Sequence, residues 1–247
     1  MKIGVFDSGV GGLTVVKSIL EHKLFEEIIY YGDTARVPYG SKDKTTIISY
    51  SLDALEFFKN FEIDMLIVAC NTASAYAIEE LQKNTDIPVI GVIESGVLAL
   101  QDALDNKDAH ILVLGTTATI TSNLYANHLK KLGFSNINSI ATPLFVPIVE
   151  ESIKGAILEE TMKYYFQGID KVDGVILGCT HFPLIEKEIS SFLNNCTTIH
   201  SGDAIVKLLQ KRYNLTSITD ETKISFFATS NPDGLKKVAK EWLELKE

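Results

Sequence analysis

Two cysteines stand where a thiol can take part in proton transfer. Cys70 ends one short apolar run and Cys179 ends another, and each precedes a segment with a helical pattern. A helix N-terminus lowers the pKa of a neighbouring thiol, so we expect both thiols to be activated. Two such thiols on opposite sides of one carbon suit the transfer of a proton across a stereocentre. One thiol can remove the hydrogen while the other delivers a proton to the opposite face.

The residues that follow the two cysteines can bind a carboxylate. Asn71 and Thr72 follow the first cysteine, and Thr180 and His181 follow the second. Their side chains would act together with the backbone N–H groups of the helix starts. His181 could also pair with the neighbouring thiol, although a helix-capping or solvated histidine fits the sequence equally well.

Other interpretations of the cysteines stay open at this point. Both can be buried and pack as small hydrophobic side chains. Redox chemistry is less favoured, because the two lie 109 residues apart and form no Cys-x-x-Cys motif. Zinc needs three or four ligands, and Cys70, Cys179 and His181 lack a typical spacing, so no metal is expected. With Cys196 the cysteine count is three, which predicts no disulfide framework and favours a reducing cytoplasm.

A glycine-rich segment follows the first predicted strand and runs from Asp7 to Thr14. It is not a dinucleotide-binding fingerprint, because threonine stands at the position that requires glycine or alanine. No lysine follows it, as a phosphate-binding loop would need. The glycines would let the backbone approach a small ligand, and Asp7 would offer a carboxylate to an ammonium group or a thiol. A tight turn without function is the alternative.

A second loop, residues 32–40, follows the second predicted strand. Pro38 and Gly40 indicate a turn. This loop could present backbone N–H groups to a second carboxylate, although a surface loop fits the sequence equally well.

Length and composition exclude several classes of protein. The chain has 247 residues, of which 46% are hydrophobic and 22% charged, as is usual for a globular protein. Its net charge of −9 and its lack of a basic run argue against nucleic acids and anionic membrane surfaces as partners. The N-terminus does not resemble a signal peptide, since Asp7 interrupts its apolar stretch. No apolar run approaches the ~20 residues of a membrane-spanning helix.

Short β-branched runs alternate with helical patterns, which predicts an α/β fold with mainly parallel sheets. The predicted strands are 3–6, 27–31, 65–69, 88–93, 111–114, 136–140, 174–177, 197–200 and 225–228. The predicted helices are 11–22, 42–60, 73–84, 95–105, 119–132, 156–169, 182–193, 202–213 and 231–246. Several strands are apolar throughout, as in parallel sheets covered on both faces. Sites in such folds form at the carboxyl ends of the strands.

The chain shows an internal echo, meaning that similar strand-end residues recur at nearly the same separation. Ser8 and Thr116 follow strands and lie 108 residues apart, nearly the separation of the two cysteines. The echo favours two similar α/β halves, although α/β units of similar length can give such offsets by chance. We expect a first domain of residues 1–93 plus 207–247 and a second of residues 94–206. The last strand, without an evident partner in the second half, would return to the first.

Four segments carry a resemblance to a known family. They are Phe-Asp-Ser-Gly-Val-Gly-Gly at 6–12, Gly-Asp-Thr-Ala-Arg-Val-Pro-Tyr-Gly at 32–40, Ala-Cys-Asn-Thr-Ala-Ser at 69–74 and Gly-Cys-Thr-His-Phe-Pro-Leu at 178–184. With the region 116–119, they resemble the bacterial glutamate racemases of the aspartate/glutamate racemase family, in the family's order. The resemblance implies cofactor-independent interconversion of L- and D-glutamate for peptidoglycan synthesis. It also implies two pseudo-symmetric α/β domains with the site in the cleft between them, and a homodimer.

The resemblance also implies a role for each matching residue. Cys70 would deprotonate D-glutamate with help from Asp7. Cys179 would deprotonate L-glutamate with help from His181 and Glu150, and the Glu150 match rests on position, not on a motif. The amino and α-carboxylate groups would be held by Ser8, Asn71, Thr72, Thr116, Thr119 and Thr180. The side-chain carboxylate would be received by Tyr39 and Gly40.

Three rival functions remain. An aspartate racemase would use similar paired cysteines, and the reach of the side-chain carboxylate would distinguish it. A non-catalytic amino-acid sensor would keep the carboxylate contacts and lose a thiol, but both thiols are present. A role in binding another protein, added to the enzyme, leaves no signature in the sequence.

Overall fold

Residues 1–218 and 221–244 are described by the structure, a computed structural model, and form two parallel sheets. The strands are β1 (Lys2–Asp7), β2 (Glu27–Gly32), β3 (Met65–Val68), β4 (Val89–Gly91), β5 (Ile111–Gly115), β6 (Ile137–Ala141), β7 (Gly174–Gly178), β8 (Thr197–His200) and β9 (Lys223–Ala228). The first sheet has the order β4-β3-β1-β2-β9, and the second has the order β6-β5-β7-β8. Every pair in both sheets is parallel. The α/β fold class predicted from the sequence is confirmed.

Helices cover both faces of each sheet. They are α1 (Leu13–Glu21), α2 (Lys44–Phe58), α3 (Asn71–Tyr76), α4 (Ile78–Lys83), α5 (Val92–Ala103), α6 (Thr117–Thr121), α7 (Leu124–Lys131), α8 (Phe145–Glu150), α9 (Ala156–Tyr165), α10 (Glu186–Phe192), α11 (Ser201–Tyr213) and α12 (Pro232–Trp242). Short 3₁₀ helices span Tyr39–Ser41 and Phe182–Ile185. Side chains of β1 alternate between two apolar clusters, with Val5 on one face and Phe6 on the other. This double burial explains why the strands are apolar throughout.

The two sheets share one connection pattern. Without β9, the first sheet has the order β4-β3-β1-β2, and the second, taken from its other edge, has β8-β7-β5-β6. Each strand of the first sheet therefore has a counterpart four strands later in the chain. The two cysteines follow β3 and β7, which are counterparts. The internal echo of the sequence corresponds to this repeated topology.

The last strand lies in the first sheet, where β9 pairs with β2 from Glu27↔Lys223 to Gly32↔Ala228. The proposed domain boundaries, 93/94 and 206/207, both fall inside helices, namely α5 and α11. The division into two domains stays a prediction.

Several predicted elements differ from the structure. The strand predicted at 88–93 ends at Gly91, and Val92 already begins α5, because an apolar run alone does not distinguish a strand from a buried helix. Ser95 therefore lies inside the helix, where its hydroxyl donates to the carbonyl of Val92 (2.9 Å).

Other helix predictions also need correction. The helices predicted at 73–84 and 119–132 are each broken into two, and α8 was not predicted at all. The predicted helix at 231–246 is observed to Trp242, and residues 245 and 246 lie outside the described residues. In the described part of the chain, no helix combines the length and the apolar character needed to cross a membrane.

Candidate active site

A cavity of about 310 Å³ lies between the carboxyl ends of the strands of the two sheets. It is lined by Ser8, Gly9, Val37, Pro38, Tyr39, Gly40, Cys70, Asn71, Thr72, Thr116, Val146, Pro147, Glu150, Cys179, Thr180 and His181. Most of the residues predicted from the sequence therefore meet in one place. Asp7 and Thr119 do not line the cavity but bond to residues that do. Val146 and Pro147 were missed, because no helix was predicted where α8 brings them to the wall.

Cys70 lies between the end of β3 and the start of α3. Its Sγ accepts a hydrogen bond from the backbone N–H of Ala73 (3.5 Å), so the thiol caps the helix as expected. The sulfur is also 3.4 Å from the hydroxyl of Ser8. Burial and the nearby charge of Asp7 nevertheless raise the pKa of Cys70 to about 12. The hydrogen bond from Ala73 does favour the thiolate, as predicted for a helix start, but desolvation outweighs it, so the prediction that Cys70 is activated is wrong.

Asp7 ends β1 and is fully buried. Its carboxylate accepts from the backbone N–H of Gly9 (2.9 Å) and lies 3.4 Å from the hydroxyl of Thr180. Burial raises its pKa, although the charge of His181 and the hydrogen bonds oppose that effect. Asp7 therefore links the glycine-rich loop of the first sheet to the segment that follows Cys179.

Cys179 follows β7 and has a different set of neighbours. Its Sγ is 3.7 Å from Nδ1 of His181, and Nε2 of the same ring is 2.9 Å from a carboxylate oxygen of Glu150. Burial lowers the pKa of His181, but the Cys179 sulfur and the Glu150 carboxylate outweigh it and raise this pKa to about 10. The imidazole of His181 thus lies between the thiol of Cys179 and the carboxylate of Glu150 and contacts both. The last residue of α8 supplies the carboxylate.

Three threonine hydroxyls join the two sheets beside the cavity, and Thr72 and Thr116 belong to its wall. The hydroxyl of Thr72 is 2.8 Å from that of Thr116 and 3.1 Å from that of Thr119, and the last two are 3.0 Å apart. Thr116 also caps α6 by accepting from the backbone N–H of Thr119 (3.2 Å). Each hydroxyl can donate or accept, so the cluster can adjust its hydrogen bonds to a bound anion.

The loop at 32–40 closes another side of the cavity. The Tyr39 hydroxyl donates to the buried carboxylate of Asp33 (2.5 Å), which also accepts from Nε of Arg36 (2.6 Å) and the hydroxyl of Thr229 (2.8 Å). The Tyr39 hydroxyl is therefore occupied by Asp33, so Tyr39 can offer a ligand only its ring and its backbone. A Cβ at Gly40 would lie 2.5 Å from Cβ of Thr116. The close approach of this loop to α6 therefore requires glycine.

Known proteins resemble this chain over its whole length. The family described as Asp/Glu/Hydantoin racemase matches residues 12–209. A glutamate racemase of a Nitratiruptor species is 58% identical over 98% of this chain and 96% of its own length. The chain belongs to the Asp/Glu/Hydantoin racemase family. It is an amino-acid racemase of the glutamate racemase group.

Solved racemase structures share the fold. The crystal structure of the glutamate racemase from Campylobacter jejuni subsp. jejuni matches with a TM-score of 0.98 at 54% identity, over 100% of both chains. That of Francisella tularensis subsp. tularensis, in complex with D-glutamate, matches with a TM-score of 0.86 at 35% identity, over 99% of this chain and 94% of that one. The predicted family and the two-sheet architecture are confirmed.

The cavity wall carries few formal charges. None of the described residues that line it is a lysine or an arginine. A ligand carboxylate would therefore be bound by hydroxyls and backbone N–H groups. In the described part of the chain, no group of three His, Cys, Asp or Glu side chains is arranged to hold a metal ion.

Proposed function

We propose that this racemase interconverts L- and D-glutamate without a cofactor, using Cys70 and Cys179 as its two acid–base groups. The observation that carries the proposal is the presence of both thiols in the wall of one cavity, supplied by counterpart strands of the two sheets. The substrate is inferred from the glutamate racemases that this chain resembles at 58% and 55% identity. The two-thiol mechanism is inferred from the geometry of the cavity.

Racemisation needs one bond to break and one to form at Cα. In the direction from D- to L-glutamate, the Cys70 thiolate takes the Cα proton, which leaves the electron pair of the broken C–H bond on Cα. The Cys179 thiol then gives its proton to the opposite face and becomes a thiolate. In the other direction the two cysteines exchange these tasks. Each thiol must therefore act as acid and as base.

Each thiol has its own assisting groups in this proposal. Asp7 assists Cys70, and His181 assists Cys179 while Glu150 holds the imidazole. In the cavity without substrate, the pKa of about 12 favours the protonated form of Cys70. The ammonium group of a bound amino acid would add a positive charge beside this thiol, and such a charge favours the thiolate.

The carbanion formed at Cα must be stabilised by the site, because the Cα–H group of an amino acid is a very weak acid. Hydrogen-bond donors arranged in advance supply this stabilisation best where water is excluded. Ser8, Asn71 and the threonine hydroxyls would hold the amino and α-carboxylate groups. The backbone of the loop that contains Tyr39 and Gly40 would receive the side-chain carboxylate.

The wider role is also part of this proposal. D-glutamate formed by the enzyme would enter peptidoglycan synthesis, and the protein would act in the cytoplasm as a homodimer. Sedimentation velocity would test the dimer, and a strain depleted of the protein would test the pathway through its requirement for added D-glutamate. Growth of that strain without D-glutamate would contradict the role in the cell wall.

The substrate is tested by following circular dichroism of purified protein with each enantiomer of glutamate and of aspartate. No cofactor is added, and a chelator is present. We expect loss of optical activity from both glutamate enantiomers and at least about 10²-fold slower change with aspartate, because a shorter side chain leaves the carboxylate-binding groups unpaired. Faster turnover of aspartate would move the assignment to the rival racemase. No turnover of either substrate would favour a binding protein.

A further inference from the structure

The amide of Asn71 lies in the cavity wall and is held by residues that lie outside it. The Tyr125 hydroxyl donates to Oδ1 of Asn71 (2.7 Å), and Nδ2 of Asn71 donates to the hydroxyl of Ser201 (3.2 Å). Tyr125 lies on α7, and Ser201 begins α11 directly after β8. Asn71 itself follows β3 of the first sheet. These bonds therefore tie a cavity side chain of one sheet to elements of the other.

Tyr125 is held in a buried position by the packing around its ring. Its ring packs among apolar side chains such as Val97, Val113 and Leu129, and the residue is buried. A buried tyrosine hydroxyl needs a hydrogen-bond partner. Gly178 leaves room for the ring, since a Cβ there would lie 3.1 Å from Cε2 of the tyrosine and the ring would have to shift by a few tenths of an ångström. The packing thus fixes where the hydroxyl points, and it points to Asn71.

The hydrogen bonds determine the orientation of the Asn71 side-chain amide. A carboxamide has one acceptor oxygen and two N–H donors. The Tyr125 hydroxyl donates to Oδ1 of Asn71, so this oxygen faces Tyr125. The Ser201 hydroxyl lies 3.2 Å from Nδ2 and 3.5 Å from Oδ1, and the shorter contact places Nδ2 on the side of Ser201. One N–H is used by Ser201, and the other has no partner among the described residues. That remaining N–H is the group of Asn71 that can donate to a ligand carboxylate.

We propose that Tyr125 is a positioning residue, which holds the Asn71 amide so that its remaining N–H donates to the α-carboxylate of the substrate. The inference rests on the proposed function, since it needs an amino-acid substrate in this cavity. Tyr125 touches no reacting atom. It acts only through Asn71, with Ser201 as the second support.

Replacing Tyr125 with phenylalanine tests this role, because it removes the hydroxyl and keeps the ring. We expect KM for both enantiomers of glutamate to rise about tenfold and kcat to change by less than about twofold, as for a contact made equally in the ground state and the transition state. Tyr76→Phe is the matched control. The Tyr76 hydroxyl also crosses between the sheets, to the carbonyl of Ala118 (3.0 Å), but it bonds to no cavity residue. The KM of the Tyr76→Phe variant should stay within about twofold of the wild-type value.

A double-mutant cycle separates positioning from general loss of structure. In the Asn71→Ala background, Tyr125→Phe should raise KM by no more than about twofold, because the side chain that it positions is gone. A tenfold rise that persists in this background would overturn the inference. An unchanged KM in the single variant Tyr125→Phe would also overturn it.

Two further measurements keep the test decisive. Should Tyr125→Phe fail to fold, Ser201→Ala replaces it, and a raised KM in that variant supports the inference while an unchanged KM contradicts it. The wild-type protein is assayed in parallel. Absence of wild-type glutamate turnover would contradict the proposed function itself, whereas normal wild-type turnover with unchanged variants contradicts only the positioning role.

Discussion

The surroundings of Cys70 and those of Cys179 occupy counterpart places in the two sheets and differ in charge. Cys70 lies near the buried carboxylate of Asp7, and burial with this charge raises its pKa to about 12. Cys179 lies 3.7 Å from the imidazole of His181, whose pKa is raised to about 10 by the sulfur and by Glu150, against the effect of burial. The repeated topology thus supplies two thiols, and the residues around them make the two proton transfers chemically different.

This difference shows what a repeated fold can and cannot impose. The strand order places a cysteine at the same point of each sheet. The neighbouring groups differ between the counterparts, since β1 ends in Asp7 whereas its counterpart β5 ends in Gly115, and the short helix α8 supplies Glu150. A substrate with one stereocentre therefore meets two thiols with separate assisting groups, and each group can be removed on its own.

The largest effect should come from removing either thiol. Cys70→Ala and Cys179→Ala should each lower kcat/KM for glutamate by about 10²–10⁴-fold or abolish it, because each removes one acid–base group. Circular dichroism of both enantiomers measures this. Cys196→Ala is the control, since Cys196 is a buried free cysteine outside the cavity, and it should stay near wild type. Near-normal turnover in either of the first two variants would refute the two-thiol mechanism.

A smaller effect should separate the two sides of the cavity. Asp7→Asn and His181→Asn should each lower kcat/KM by about 10–10²-fold. Because the equilibrium constant between enantiomers is one, kcat/KM must fall equally in both directions. The asymmetry should therefore appear in the primary isotope effect with 2-deuterated glutamate. Relative to wild type, the isotope effect should be larger with D-glutamate in Asp7→Asn and with L-glutamate in His181→Asn. Equal isotope effects in both variants would contradict the assignment of one assisting group to each thiol.

The smallest effect concerns the support of His181 by Glu150. Glu150→Gln removes one of the groups that raise the pKa of His181, so this pKa should fall below about 10, while kcat/KM drops less than about tenfold. NMR titration of the His181 ring measures the pKa. An unchanged pKa would show that Glu150 does not support the imidazolium. Glu151→Gln, at an exposed neighbouring position, is the control and should leave the ring unaffected.

The same variant has a consequence for stability against pH. The folded-state pKa of His181 lies above the ordinary value of 6.5. Its stabilising contribution is therefore complete below about pH 6.5 and is lost as the pH rises through about 10. Urea unfolding should show Glu150→Gln destabilised more at pH 6 than at pH 10. The opposite order would contradict the raised pKa.

The strands and the two thiols could be predicted from the sequence for a physical reason. Parallel strands buried on both faces are continuous apolar runs, as in Met65–Val68, and sites lie where such strands end. Glu150 could not be found in this way. Its helix α8 has six residues with Pro147 near its start, which is too short to show a helical period. Only the resemblance to the racemase family pointed to it.

Contacts between distant parts of the chain were also beyond the sequence. The bond from Tyr125 to Asn71 joins residues 54 apart, and the bond from Thr229 to Asp33 joins residues 196 apart. No local pattern encodes such pairs, since they depend on how the sheets and helices pack. The pKa of Cys70 was mispredicted for the same reason, because desolvation depends on burial in the folded protein and not on the adjacent helix start.

The most direct test of the two-thiol account is the early distribution of deuterium in D₂O. Purified protein is mixed with one enantiomer of glutamate, and both enantiomers are separated and analysed by mass spectrometry before about a tenth of the substrate has reacted. The account predicts deuterium at Cα of the newly formed enantiomer and almost none in the remaining substrate, because the thiol that donates carries a solvent-derived deuteron. Deuterium appearing in the remaining substrate as fast as in the product would mean that one group serves both faces. That result would contradict the roles assigned to Cys70 and Cys179.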